Sequence, residues 1–423
     1  MDDNLVPFTP AIQNAPTVHD IEAAASRIQG QIERTPTVDL HRLGEALGCT
    51  IMAKLENLQH TASFKERGAL NCLSLLTPDQ QRAGVVAMSA GNHAQGVAYH
   101  AGRLGVNATI VMPKHTPFTK VERTQSLGAK VELHGETLQE AREFAENLAA
   151  QQGLIFVHPY DDPSVIAGQG TVALEMLAAL DEPLDTLIVP IGGGGLMSGI
   201  ATAMRARSPE TELIGVQSEA YPAMRQSLRG EEIKTADGTL AEGIAVKEPG
   251  QLTRQIIGQM VDDIVLVSDE RIEQAIYDLS GYSKIVAEGA GAAGIAAIMD
   301  DPERFAGMRV GVVICGGNID DRLFANLLLR GMVSEQKIIQ LRITLPDRPG
   351  ALAAIATVIA DAGGNIVEVQ HQRMFNVASI KSTTIDIVME TRDKDHANSI
   401  VAALQGAGFP VEQQYSKAMK TAE

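Results

Sequence analysis

Tryptophan is absent, and aromatic residues amount to 9 Phe and 6 Tyr in 423. A core without many large rings must be aliphatic, and the stacking platforms that hold single-stranded nucleic acid are missing. Basic residues fall short of acidic ones, 35 against 52, a formal charge of −17, so no polyanion is attracted and no nucleic-acid partner is expected. Cysteine is scarce as well: Cys49, Cys72 and Cys315 are odd in number and widely spaced. That fits neither a disulfide framework nor a paired metal site. No apolar run reaches the roughly 18 residues that span a bilayer. The opening MDDNLVPFTP lacks the basic and apolar regions of a secretion signal. The expectation is a cytoplasmic protein with no membrane contact.

Length alone suggests about three compact units at roughly 150 residues each. From residue 85 onward, short apolar runs alternate with amphipathic stretches: VVAM (85–88), 93–104, ATIVM (108–112), 117–127 and AKVEL (129–133). The spacing of Leu138, Ala141, Ala145 and Leu148 predicts a one-sided helix over 137–151, stopped by Gly153. The rhythm resumes with TLIVP (186–190), a glycine run, a helical stretch to Arg207, ELIGVQ (212–217) and RVGVVICGG (309–317). Its simplest solution is a mostly parallel sheet covered on both faces.

Residues 331–337 read as a short polar linker, after which the order changes to strand, helix, strand, strand, helix, strand. Residues 338–423 hold 8 basic and 9 acidic side chains, a net of −1, which leaves −16 on the first 337. This contrast supports a boundary there.

Four segments could carry chemistry. Thr61-Ala-Ser-Phe-Lys-Glu-Arg-Gly-Ala69 places Lys65 at the start of a helix; taken alone, it is a solvated lysine. Ser89-Ala-Gly-Asn-His93 lies between a strand and a helix, where free N–H groups can hold a carboxylate, or where Asn92 simply caps the helix. Gly192 to Gly195, also between strand and helix, let backbone N–H groups converge on a phosphate without Lys or Arg. Val-Ile-Cys315-Gly-Gly-Asn318 ends the most apolar strand, as a buried cysteine and a turn would.

In this order and spacing the four segments resemble the serine/threonine dehydratases, pyridoxal phosphate enzymes of the tryptophan synthase β fold, over about Arg34 to Arg330. The nearest likeness is to the branch that deaminates threonine. The resemblance implies an α/β fold of two parallel-sheet subdomains over residues 1–330. Lys65 would bind the cofactor's aldehyde as an imine and serve as base, with Phe64 beside it. Asn92 would contact the phenolic oxygen, Gly192, Gly193, Gly194, Gly195 and Leu196 the phosphate, and Cys315 the pyridine nitrogen. Ser89, Ala90, Gly91, Asn92 and His93 would hold the substrate carboxylate. Two positions depart from the usual pattern: Ala62 stands for Gly, and Cys315 for Ser. A neutral thiol at the pyridine nitrogen leaves the electron sink weak and favours β-elimination. Glu288 matches an acidic position lining the family's site, with a helix-capping role equally open. Glu219 matches one member of the racemase branch's acidic metal pair, but Arg225 stands at the other.

Residues 338–423 resemble an ACT domain, a βαββαβ module that binds amino acids. Asp347, Pro349 and Gly350 match its strand-to-helix loop, and Asn365 its turn into the second strand. The activity implied is deamination of threonine to 2-oxobutanoate and ammonia, or of serine or 3-hydroxyaspartate, under an amino-acid effector, in a homo-oligomer (dimer or tetramer). Two other readings stay open. Gly193-x-Gly195-x-x-Ser198 approaches a dinucleotide fingerprint, with Glu219 about twenty residues on. An amino-acid sensor would use the ACT module alone.

Overall fold

The computed structural model describes residues 12–346, 348–372 and 382–414. They divide between Ile319 and Asp320 into two units. The first unit holds ten strands in two separate sheets. In chain order these are β1 (Thr37–Asp39), β2 (Thr50–Leu55), β3 (Val85–Met88), β4 (Ala108–Met112), β5 (Lys130–Leu133), β6 (Ile155–Phe156), β7 (Thr186–Pro190), β8 (Glu212–Ser218), β9 (Asp263–Val267) and β10 (Arg309–Ile314). The larger sheet runs β1-β2-β10-β7-β8-β9, parallel except for the antiparallel edge strand β1. The smaller runs β5-β4-β3-β6, all parallel.

The rhythm alone suggested one sheet, and the structure corrects this to two. Apolar periodicity shows that a strand exists but not which strand it joins. The early strand β2 pairs with the late strand β10, Thr50 opposite Arg309, while β3 to β6 pair among themselves. β7 and β10 are buried along nearly their whole length, as strands covered on both faces must be.

Small residues replace rings in the core. The helices Pro163–Ala179 and Gly195–Arg207 approach so closely that a Cβ on Gly199 would come within 2.4 Å of the Ile166 carbonyl oxygen. An aliphatic interior reaches native density in this way without tryptophan.

The second unit opens with the helix Asp321–Ser334 and continues as a four-stranded antiparallel sheet. Its strands are β11 (Ile338–Pro346), β12 (Asn365–Gln372), β13 (Ser382–Glu390) and β14 (Val411–Gln414), in the order β12-β13-β11-β14. Ile339, Leu341, Ile343 and Leu345 alternate inward on β11 and form one core with Ile355, Ile359, Ile400 and Leu404 of the helices Ala351–Asp361 and Lys394–Gly406. The expected linker over 331–337 is corrected in part: residues 331–334 are the last turn of a helix, and a short turn over 335–337 leads into β11. The apolar residues of that helix outweigh the few polar ones that suggested a loop.

Candidate active site

Lys65 is the first residue of the helix Lys65–Ser74, and the loop before it is laced to the end of β10. The Phe64 N–H donates to the Cys315 carbonyl (3.1 Å), the Gly317 N–H donates to the Ala62 carbonyl (2.9 Å), and Ser63 bridges Gly316. Buried charges anchor the helix from behind. Arg67 donates to Glu56 (2.7 and 2.8 Å) and Glu175 (2.8 Å to each oxygen). Lys54 donates to Glu175 (2.7 Å) and to the Thr35 carbonyl (2.6 Å). Burial opposes the charge on Arg67, but Glu56 and Glu175 outweigh it and hold the guanidinium well above its ordinary range. The Glu66 carboxylate accepts the Thr61 N–H and a hydrogen bond from His100 (3.2 Å). Lys54, Glu56, Glu66, Arg67 and His100 have no exposed surface, so Lys65 stands on a fixed base.

Phe64, Lys65, Ser89, Ala90, Gly91, Asn92, Gly192, Glu288, Gly317 and Asn318 are partly exposed, while Ser63, His93, Gly193 to Gly195 and Cys315 beside them are buried. The Lys65 amine donates to the Pro159 carbonyl (2.8 Å). Burial lowers it to about 8, against the opposing pull of Cys315 and Glu288. Burial, helped by Glu288, pushes the Cys315 thiol well above its ordinary range, so it stays protonated.

Asn92 does not cap its helix: Gly91 holds the cap position, and Asn92 is the first helical residue. Its amide is oriented from both ends. Nδ2 donates to Glu288 (2.7 Å), while Oδ1 accepts from Asn318 Nδ2 (2.8 Å), which also donates to the Thr61 carbonyl (2.7 Å). Glu288 occupies the cap position of the helix Gly289–Asp300 without making a side-chain cap. Burial raises it to about 7, against the Asn92 hydrogen bond. His93 turns inward, its Nε2 donating to the Val157 carbonyl (2.9 Å), and burial lowers it to about 3. The neutral ring therefore offers no second donor. Ser89 Oγ accepts the Gly91 N–H (3.2 Å).

The glycine run joins β7 to the helix Gly195–Arg207, with Gly194 at the cap and a φ of +97°. A Cβ on Gly193 would come within 2.3 Å of the Tyr160 ring, and one on Gly195 within 3.0 Å of the Tyr160 backbone. Leu196, next in the helix, is buried.

These residues fit pyridoxal phosphate. An amine of lowered basicity stands ready for an aldehyde, and glycine N–H groups at a helix N-terminus suit a phosphate. Ser63 Oγ and Thr61 Oγ1, in the lysine's own loop, are buried without a hydrogen-bond partner, a state that buried polar groups rarely keep. Sequence reasoning missed Pro159, Tyr160, Asp161 and Thr253. A signal was present: His158-Pro-Tyr-Asp161 follows a short apolar run, and ligands of open parallel sheets bind at such strand ends. Asp347 lies outside the described residues. Gly350 caps the helix Ala351–Asp361 at a φ of +87°, next to Pro349, and Asn365 Nδ2 donates to Glu390 (2.8 Å).

A family model described as pyridoxal-phosphate dependent enzyme matches residues 28–316, and an ACT domain model matches residues 339–409. An L-threonine ammonia-lyase of Thermotoga maritima is 41% identical over 397 residues, covering 93% of this chain and 98% of that protein. One from Geobacter sulfurreducens is 42% identical over 394 residues, covering 93% and 98%. The processed form of threonine deaminase isoform 2 from Solanum lycopersicum has a similar structure, with a TM-score of 0.69 and 34% identity over 73% of this chain and 91% of that one. No helix among the described residues is long and apolar enough to cross a membrane.

Proposed function

The chain belongs to the pyridoxal-phosphate dependent enzymes and carries a C-terminal ACT domain, and from that premise we propose that it deaminates L-threonine to 2-oxobutanoate and ammonia. The observation that carries the reading is the Lys65 amine, lowered to about 8, facing a thiol and a carboxyl group in a chain that matches L-threonine ammonia-lyases over 93% of its length. The nucleotide-binding and sensor readings leave that lysine without a task.

Bound pyridoxal phosphate supplies an aldehyde that captures amines and a ring that draws electrons from the carbon next to the captured nitrogen. The protein's part follows from its groups. Near neutral pH a useful fraction of Lys65 is the free amine, which would bind the aldehyde and, when free, would take the proton from the substrate Cα at Nζ. Phe64, Asn92, Gly192 to Gly195, Leu196 and Cys315 would hold the cofactor, and the Cys315 thiol, kept neutral, would place no anion beside its ring. Backbone N–H groups from Ser89 to His93, at the opening of a helix, hold the substrate carboxylate. The proton taken at Nζ would pass to the β-hydroxyl, which leaves as water, and hydrolysis of the released enamine consumes one water and gives ammonia and the 2-oxo acid. Catalysis belongs to residues 1–330 in this reading, in a cytoplasmic homo-oligomer.

Ammonia and 2-oxo acid release from threonine, serine and 3-hydroxyaspartate tests the activity, with threonine expected fastest. Lys65→Ala should lower the rate by roughly 10³-fold or more, and near-normal ammonia release from it would refute the assignment. The ACT domain would bind an amino-acid effector at Asp347, Pro349, Gly350 and Asn365, changing substrate affinity within about 5- to 150-fold. Asn365→Ala should blunt the response to isoleucine or valine in rate measurements while leaving the effector-free rate in place.

A further inference from the structure

Of the four residues His158 to Asp161 after β6, the last three reach Lys65, Gly193 and the start of the helix Gln251–Met260. The Pro159 carbonyl accepts the Lys65 amine (2.8 Å). The Tyr160 ring lies flush on Gly193, and its Oη donates to the Glu248 carbonyl (2.9 Å). The Asp161 carboxylate accepts the N–H groups of Gln251 (2.9 Å), Leu252 (3.0 Å) and Thr253 (3.1 Å), at the start of the helix Gln251–Met260. Thr253 Oγ1 then donates to the Gly193 carbonyl (2.6 Å). His158 Nδ1 folds the segment on itself by accepting the N–H groups of Tyr160 (3.3 Å) and Asp161 (2.8 Å). Burial lowers that imidazole to about 4, which keeps Nδ1 an acceptor.

A run of four glycines has no side chains to fix its shape and loses more freedom on ordering than any other sequence. Something outside the run must hold it. Tyr160 presses on one side of Gly193, and Thr253, itself placed by Asp161, holds the carbonyl of the same residue.

We propose that His158–Asp161 is a positioning segment: Tyr160 and the Asp161–Thr253 relay hold the glycine loop in its phosphate-binding shape, and Pro159 sets that loop's distance from Lys65. The proposal rests on the reading of Gly192 to Gly195 as the phosphate cradle. It has a signature that general loosening lacks. Pyridoxal, which has the aldehyde but no phosphate, engages Lys65 without needing the loop.

Dissociation constants for pyridoxal phosphate and for pyridoxal, read from the imine absorbance of the full-length protein, test it. Tyr160→Ala should weaken pyridoxal phosphate by about 10- to 100-fold, the scale at which loss of an outer-shell support is felt, and pyridoxal by less than about threefold. Tyr160→Phe keeps the ring and should restore the phosphate preference. Thr253→Val, which conserves volume and removes the donor to Gly193, should shift the same preference in the same direction, and it carries the test if Tyr160→Ala does not fold. Equal weakening of both ligands, or of neither, in the folded variants would overturn the proposal. A wild-type protein with no preference for the phosphorylated ligand would instead overturn the cradle reading beneath it.

Discussion

A Cβ on Gly193 would come within 2.3 Å of the Tyr160 ring, whereas one on Gly350 would meet no atom within 4 Å. Gly350 is needed for its φ of +87°, a conformation that opens the helix Ala351–Asp361 and that other residues adopt at a cost. Gly193 thus gives room in the first unit and Gly350 a turn in the second. Charge follows a parallel division. The first unit sets Arg67 between Glu56 and Glu175, with Arg67 and Glu56 unexposed and Glu175 partly buried, while the second pairs an Arg342 side chain 42% exposed with the buried Asp386 (2.7 Å). Removing a carboxylate from the first pair strands a buried guanidinium, whereas removing Asp386 from the second leaves Arg342 to water. Over-determination is concentrated around Lys65.

The sharpest way to break this comparison is to add one methyl group in each unit. Gly193→Ala forces the loop and the Tyr160 ring apart, so pyridoxal phosphate affinity should fall by at least about tenfold. Gly350→Ala should leave that affinity unchanged and lower the stability of the second unit by about 1 kcal/mol, read as a downward shift of its thermal transition. Equal effects of the two on cofactor binding would erase the distinction between space and conformation.

The contrast in charge can be sharpened through pH. Glu288 is raised from an ordinary 4.5 to about 7, so the folded protein binds more protons than the unfolded chain between those values. Stability supplied by the protonated group is present below about pH 4.5 and is lost as pH rises, with the loss complete above about 7. Glu288→Gln keeps an acceptor for Asn92 and removes the titration. Its unfolding free energy, measured by denaturant titration from pH 5 to 8, should vary less than that of the wild type, by up to about 3 kcal/mol across the window. The same slope in both proteins would mean that Glu288 is ionised throughout.

Much of this architecture was legible in the sequence because its signals are local. The apolar runs from Val85 to Leu133 and the strand–helix order after Ile338 describe neighbours in the chain, and both units follow them. The lysine, asparagine and glycine segments could be read because each sits at a strand-to-helix junction. What escaped depends on distant partners. Nothing near Thr50 in the chain reveals that β2 will pair with β10, so the rhythm alone pointed to one sheet, and the two that exist were implied only by the family resemblance. Lys54, within the apolar run IMAKLE, looks like an ordinary strand lysine until Glu175 arrives from a distant helix. Asn92 could be read as a cap or as a cofactor contact, but its partners Glu288 and Asn318 could not be foreseen, because they lie some two hundred positions further along.

The smallest expected effect separates room from conformation within the active site itself. Ala62 stands where the related motif carries glycine, and its φ of +54° lies in the left-handed region. No neighbour demands the methyl group's absence, since alanine is already accommodated, so the position resembles Gly350 in kind and not Gly193. Ala62→Gly should relieve about 1 kcal/mol of backbone strain and return most of it by freeing the unfolded chain, worth about 0.4–1 kcal/mol. The net change should stay within about 0.5 kcal/mol, with cofactor affinity unaltered because the Gly317 N–H donates to the backbone carbonyl of residue 62, which both residues supply. Denaturant unfolding and the imine absorbance titration, run on the same preparation, check both halves. A loss of cofactor affinity in Ala62→Gly would show that the methyl group stiffens the lysine loop, and would move this position to the side of the comparison where side-chain contact, and not backbone conformation, governs the site.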